Sequence, residues 1–255
     1  MNFETLSVSQ EGKILYVSLN RPQKRNAMNL QMYQDLEECM TKVASRSDVG
    51  AVIIRGEGKA FSSGTDLTEL AKLAQQGADI QDFRASVRKL QRAFSEIENL
   101  EKVVIAAIHG YALGGAFELI LACDLRIASE EARFSIPEVN LGIIPDLGGS
   151  HRLSRMVGLG RAKELILTGK MISASEAERI GLINKVVPLE QLRDTAKAWA
   201  EDIVNKRQLA VGLAKRTIDL NFSLSTPEGL ELAGIMQSLL ISGENFRPGI
   251  TKKDA

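Results

Sequence analysis

The apolar run at residues 103–124 constrains this chain more than any other stretch. It carries one carboxylate in its interior, Glu118, and closes on Asp124. Charged residues make up 25% of the chain, so a run of this length would hold about five at that average. Their depletion signals deep burial. Length alone would allow a membrane span, and Gly110 and Gly114 stand at GxxxG spacing. The adjacent Gly114 and Gly115, the ionisable His109 and Glu118, and flanks without a basic cluster argue against it. Two soluble readings remain. In one, a strand, a glycine turn and a buried helix satisfy Glu118 with backbone donors. In the other, a strand over 103–109, a turn over 110–115 and a helix over 115–123 turn free N–H groups toward a ligand.

A second sparse segment, 134–150, has the same character. Its only ionisable side chains are Glu138 and Asp146, each following a proline. Asp146 would serve as an Asx cap for a helix beginning at Leu147, and a first-turn Glu138 is ordinary by itself. Gathered with Glu118 in one dry pocket, however, the three would have their pKa values pushed up or apart, and that is how a protein obtains acid and base from one residue type.

Around these segments the pattern is α/β. Residues 5–10 and 13–20 alternate about Glu11-Gly12 and predict a hairpin. Asn29 caps a helix to about Ala44, with Leu30, Tyr33, Leu36, Met40 and Val43 on one face. A short strand at 51–55 leads into the glycine- and hydroxyl-rich loop 56–67, able to bring backbone N–H groups to a ligand. The helix over 80–100 carries Arg84, Arg88 and Arg92, read as a solvated face in view of Asp82, Glu96 and Glu98. Further strands are expected at 124–129 and 182–187. Helices are expected at 161–167, at 173–180 behind a Ser173/Glu176 capping box, and at 189–205, 209–221 and 226–242. The last three suggest a division into a core at 1–188 and a helical subdomain at 189–255, whose apolar faces would need a partner subunit.

Composition excludes several classes. Lysine and arginine (32) balance aspartate and glutamate (32), which gives no general attraction to nucleic acid or acidic membranes. His109 and His151 lack partners at ligand spacing, so no metal site is expected. Cys39 and Cys123 read as core thiols. There is no P-loop, GxGxxG or Gly-x-Ser-x-Gly motif. Without a secretory or lipidation signal, a cytoplasmic location is expected.

Four ordered motifs then converge. Asn20-Arg21-Pro22 with Lys24-Arg25-Asn26-Ala27, residues 60–67, residues 110–119 and residues 134–149 together resemble the enoyl-CoA hydratase/isomerase (crotonase) family. The resemblance implies a spiral of β-β-α turns with a helical C-terminal subdomain, assembly as a homotrimer or homohexamer, and a coenzyme A thioester as substrate with no separate cofactor. It places the oxyanion hole on Thr65 and Gly115 and the proton-transfer pair on Glu118 and Glu138. It also places the CoA grip on Lys24, Arg25, Ala60, Ser62, Gly64, Asp66, Leu67, Thr68 and Gly114. The activity it implies is hydration of 2-enoyl-CoA to 3-hydroxyacyl-CoA. Asp146 stands where many hydratases have glycine, so double-bond isomerisation of enoyl- or dienoyl-CoA with Asp146 as a further catalytic proton carrier is the alternative. A non-catalytic CoA- or RNA-binding member is a third reading. The tail after residues 245–249 also departs from the family by lacking a basic segment.

Overall fold

The computed structural model describes residues 1–75 and 79–242. The tail on which the last departure rests lies outside them. The chain runs β1 (Leu6–Glu11), β2 (Ile14–Leu19), a 3-10 turn at Pro22–Lys24, α1 (Leu30–Ala44), β3 (Ala51–Gly56), α2 (Leu67–Gln75) and α3 (Ile80–Asn99). Then come β4 (Val103–Ile108), β5 (Tyr111–Leu113), α4 (Gly115–Ala122), β6 (Leu125–Ser129), β7 (Arg133–Ser135), a 3-10 turn at Glu138–Leu141, α5 (Gly149–Val157) and α6 (Leu159–Thr168). It continues through β8 (Ile172–Ser173), α7 (Ala174–Arg179), β9 (Lys185–Val187), α8 (Leu189–Val204), α9 (Gln208–Asn221) and α10 (Thr226–Ile241).

The expected hairpin forms between β1 and β2, with Glu11 opposite Ile14. From β2 onward the neighbours are parallel, in the order β1-β2-β3-β4-β6-β9. Parallel pairing needs crossovers, and helices supply them on one face. That face holds the larger core, where Val52, Ile54, Val104 and Ala106 meet Leu36, Met40 and Phe94 of α1 and α3. On the opposite face Ile53, Ile105 and Ile127 pack against Leu192, Ala196 and Ala200 of α8. The helix that opens the expected C-terminal segment is therefore laid on the sheet. Burial from both sides explains why β4 reads as an unbroken apolar run, and β2 is buried throughout although 13–20 alternates in sequence.

Asn29 caps α1, its Oδ1 accepting from the Met32 N–H at 3.1 Å. Leu30 departs from expectation: it is 50% exposed, because it sits at the first helical position, where its N–H donates to Glu69. Two further differences concern the functional segments. The turn read over 110–115 contains β5, which belongs with β7 and β8 to a separate three-stranded sheet. A three-residue strand paired only with distant segments leaves no local periodicity to read. Asp146 does not cap a helix; α5 begins at Gly149 behind Gly148, whose φ of 111° replaces a side-chain cap. No helix among the described residues is long and apolar enough to cross a membrane.

Candidate active site

The small sheet builds the site by main-chain pairing across four distant segments. Leu113 lies opposite Ser135 in the β5–β7 pair, and the Gly114 N–H donates to Ser135 O at 2.9 Å. On the other side Ser62 bridges Ala112, and Met28 bridges Thr65. The Met28 N–H donates to Gly64 O at 2.8 Å, and the Asp66 N–H returns a bond to Met28 O at 2.9 Å. The loop 60–67 is thereby laid against the glycine turn before α4.

The fit leaves no room for side chains. A methyl group at Gly64 would fall 2.3 Å from Leu113 O and 3.4 Å from Gly115 N, and one at Gly115 would fall 3.4 Å from Thr65 N. Among the described residues neither the Thr65 nor the Gly115 N–H donates a hydrogen bond. Gly115 opens α4, so its amide also stands at the positive end of the helix dipole.

Glu118, in the first turn of α4, is 2% exposed. Its Oε1 accepts from the Leu147 N–H at 2.8 Å and the Gly149 N–H at 2.7 Å. Burial pushes its carboxyl up to about 8; the Gly149 amide opposes this, and the charges of Glu138 and Asp146 reinforce it. Glu138 is buried against Gly114, where a methyl group would meet its Oε1 at 2.9 Å, and its Oε2 has no partner. Burial raises its pKa too, with Asp146 adding to the effect. Asp146 is half-buried and likewise raised by burial. The charges of Glu138 and Asp146 thus act on Glu118, and that of Asp146 on Glu138. Glu118 lies one turn along α4 from the Gly115 amide, and Glu138 packs against the adjoining Gly114.

The residues read as a CoA grip fall into two groups. Lys24, Arg25, Leu67 and Thr68 are exposed, and neither Lys24 nor Arg25 forms an ion pair among the described residues. Ala60, Ser62, Gly64 and Asp66 are turned into the loop itself. Ser62 Oγ donates to Asn26 O at 2.7 Å and accepts from the Gly64 N–H at 3.1 Å. Asp66 pairs with Arg21 at 3.2 Å. Gly114 lies between β5 and α4, under Glu138.

Three contributors carried no assigned role in the sequence. Asn26, fully buried at φ 54°, donates through Nδ2 to Glu57 O, Ala60 O and Phe61 O, and its Oδ1 accepts from the Arg21 N–H. It staples two loops together, and only its place in a cationic turn hinted at this. Arg152 donates to Leu147 O at 3.0 Å and to Glu98 Oε2 at 2.7 Å, clamping the turn that holds Glu118. Tyr33, expected only as core, reaches Thr65 Oγ1 with its hydroxyl at 2.9 Å.

A cavity of about 390 Å³ opens beside Thr65, lined by Met28, Leu30, Tyr33, Leu70 and Leu90, with Lys72 and Lys89 near its mouth. That is within the size range of small-ligand sites. A larger one of about 620 Å³ lies behind α4 against α9, and neither cavity has Glu118, Glu138 or Asp146 in its lining. No three His, Cys, Asp or Glu side chains among the described residues are grouped to hold a metal ion.

Comparison with known proteins gives the family. The sequence profile of the enoyl-CoA hydratase/isomerase family matches residues 9–253. The chain belongs to that family. A short-chain-enoyl-CoA hydratase of Clostridium acetobutylicum is 42% identical over 220 residues, covering 86% of this chain and 82% of that protein. A peroxisomal Delta(3,5)-Delta(2,4)-dienoyl-CoA isomerase of Arabidopsis thaliana is 33% identical over 261 residues, covering 98% and 94%. The crystal structure of an enoyl-CoA hydratase from Bacillus anthracis superposes with a TM-score of 0.89 at 37% identity, covering 94% of this chain and 92% of that one. The α/β crotonase fold inferred from the four motifs is therefore the fold of this hydratase/isomerase family member.

Proposed function

We propose that this protein hydrates 2-enoyl-CoA thioesters to 3-hydroxyacyl-CoA. The observation that carries the reading is the pair of unengaged amides, Thr65 and Gly115, set against each other, with buried Glu118 in the helix that Gly115 opens and buried Glu138 against Gly114. As water adds to C3, negative charge builds on the thioester oxygen. Preorganised N–H donors in a dry site stabilise that charge more than they stabilise the substrate. Burial raises the carboxyls of both Glu118 and Glu138, which suits them to exchange protons near neutral pH. One takes a proton from the attacking water and the other delivers one to C2, so no separate cofactor is needed. Lys24 and Arg25 meet the CoA phosphates, and the backbone of 60–68 lines the path inward.

The test is loss of the conjugated enoyl thioester absorbance on incubation with 2-enoyl-CoA. Glu138→Gln should remove most turnover while CoA-thioester affinity is retained, and unchanged turnover sinks the assignment. Asp146, electrostatically coupled to both glutamates, supports a second reading, double-bond isomerisation. Turnover of 3-enoyl- or dienoyl-CoA exceeding hydration, and abolished in Asp146→Asn, would favour it. Exposed apolar residues on α9 and α10 support assembly with further copies, a homotrimer or homohexamer. The neutral charge balance supports a protein that binds no nucleic acid, and a cytoplasmic location goes with that reading as the default for a chain without a recognisable targeting signal.

A further inference from the structure

Tyr33 lies on the buried face of α1, and its ring packs against Phe94 with centroids 5.7 Å apart. A phenylalanine would serve that packing equally well. A buried hydroxyl is costly unless it is paired, and this one is paired at the site: it lies 2.9 Å from Thr65 Oγ1. It also lies beneath Gly115, where a methyl group would meet the Tyr33 hydroxyl at 2.8 Å and Thr65 Oγ1 at 2.6 Å. One side chain therefore touches both residues whose N–H groups face the expected thioester oxygen.

Building on the enolate reading above, we propose that Tyr33 is a positioning residue whose hydroxyl, bonded to Thr65, sets the spacing and aim of the Thr65 and Gly115 amides. The loops that carry those amides are joined by main-chain bonds from Phe61 N–H to His109 O, Ser62 N–H to Tyr111 O and Leu113 N–H to Ser62 O, all of which stop two or more residues short of Thr65 and Gly115. The Tyr33 hydroxyl makes the contact at the amide-bearing residues themselves. A β-branched threonine has few χ1 states, and fixing its oxygen fixes the backbone that carries it. Closing against Gly115, the phenol works as a strut between the two turns. Burial raises the phenol's pKa, as do the nearby carboxylates, so the hydroxyl keeps its proton across the neutral range.

The experiment compares Tyr33→Phe, Thr65→Val, their double variant and Thr65→Ser. Two readouts are used: steady-state kinetics on 2-enoyl-CoA, and the near-ultraviolet enolate absorbance of a bound 3-ketoacyl-CoA. Tyr33→Phe keeps the ring against Phe94 and removes one oxygen. Loss of aim, short of loss of a donor, should lower kcat about tenfold with KM within about twofold. The bound enolate fraction should fall by a similar factor. Thr65→Val should match Tyr33→Phe, the double variant should be no worse than either, and Thr65→Ser, which keeps the hydroxyl but loses the branch, should fall between the parent and Thr65→Val. If Tyr33→Phe fails to fold, Thr65→Val reads the same hydrogen bond from its other end. Full enolate absorbance and kcat in either single variant, or multiplied losses in the double, overturn the strut. A parent protein that binds the 3-ketoacyl-CoA without any enolate band overturns the enolate reading itself, and the strut with it.

Discussion

Helices α4 and α10 are both strongly apolar, and the structure treats them in opposite ways. Every residue of α4 is buried, enclosed by the sheet, α3 and α5. In α10 only Gly229 is buried, while Leu230, Ile235, Leu239 and Ile241 are exposed, Leu230 at 70%. The difference is not one of helix formation. α10 has the better start, with a capping box between Ser225 and Glu228, whereas α4 begins at Gly114 with no side-chain cap. Apolarity states that a helix is to be covered. It does not state whether the covering comes from the same chain.

The first way to break the comparison is to place a charge on each helix. In α4, Leu119 is fully buried, and Leu119→Asp would bury an unpaired carboxylate. The cost, upward of about 4 kcal/mol, is comparable to the whole stability of many domains. The expected outcome is an insoluble or unfolded product by circular dichroism.

Glu118 shows what α4 tolerates in its own right. In an unfolded chain its carboxyl has a pKa of 4.5, and in the fold it is pushed up to about 8 by burial. Between those pH values the folded state holds a proton that the unfolded chain has released, so stability falls as pH rises through the window. Glu118→Gln cannot ionise and keeps an oxygen for the Leu147 and Gly149 amides. It should exceed the parent by about 5 kcal/mol at pH 9 and match it near pH 4, while turnover is lost. Paired urea melts at the two pH values check this, and an identical pH dependence in the two proteins would refute it.

Arg152 probes the clamp behind that carboxylate. Arg152→Met abandons the bond to Leu147 O and leaves Glu98 unpaired, at a cost of about 2 kcal/mol. As the 147–149 turn loosens, the amides that hold Glu118 Oε1 weaken, so its pKa should rise further. The basic limb of the pH–rate profile should move upward with it. An unmoved limb with the expected loss in urea midpoint would restrict Arg152 to stability alone.

These tests fall on residues that differ in how legible they were. The hairpin about Glu11-Gly12, the Asn29 cap and the depletion of charge around Glu118 are local signals, and the fold follows them. β5 and the start of α5 were not legible, because their geometry answers to distant partners: Ser62 and Ser135 for β5, and the Glu118 carboxylate for the turn at Gly148. Glu118, Glu138 and Asp146 stood out because they interrupt apolar sequence. Asn26, Arg152 and Tyr33 did not, because each sits in a pattern with an ordinary explanation, and only tertiary hydrogen bonds reveal their work. Composition marks burial well, but it is silent on which buried polar atom faces which.

The smallest effect on folding is expected in α10, and there the comparison becomes sharpest. Leu230→Glu with Leu239→Glu adds charge at two positions already in solvent within the chain. Surface substitutions of this kind change stability by about 0.5 kcal/mol or less. The melting of the dissociated chain should therefore be unaffected, in contrast to Leu119→Asp. If the apolar face of α10 is covered by a second copy, burying those charges would be prohibitive, and sedimentation should shift from an oligomer toward the 27.8 kDa chain. Should sedimentation of the variant match the parent, the leucines of α10 face water in the assembled protein. Its apolarity would then serve only the packing against α9, and the two helices would differ in how much covering they need, not in who supplies it.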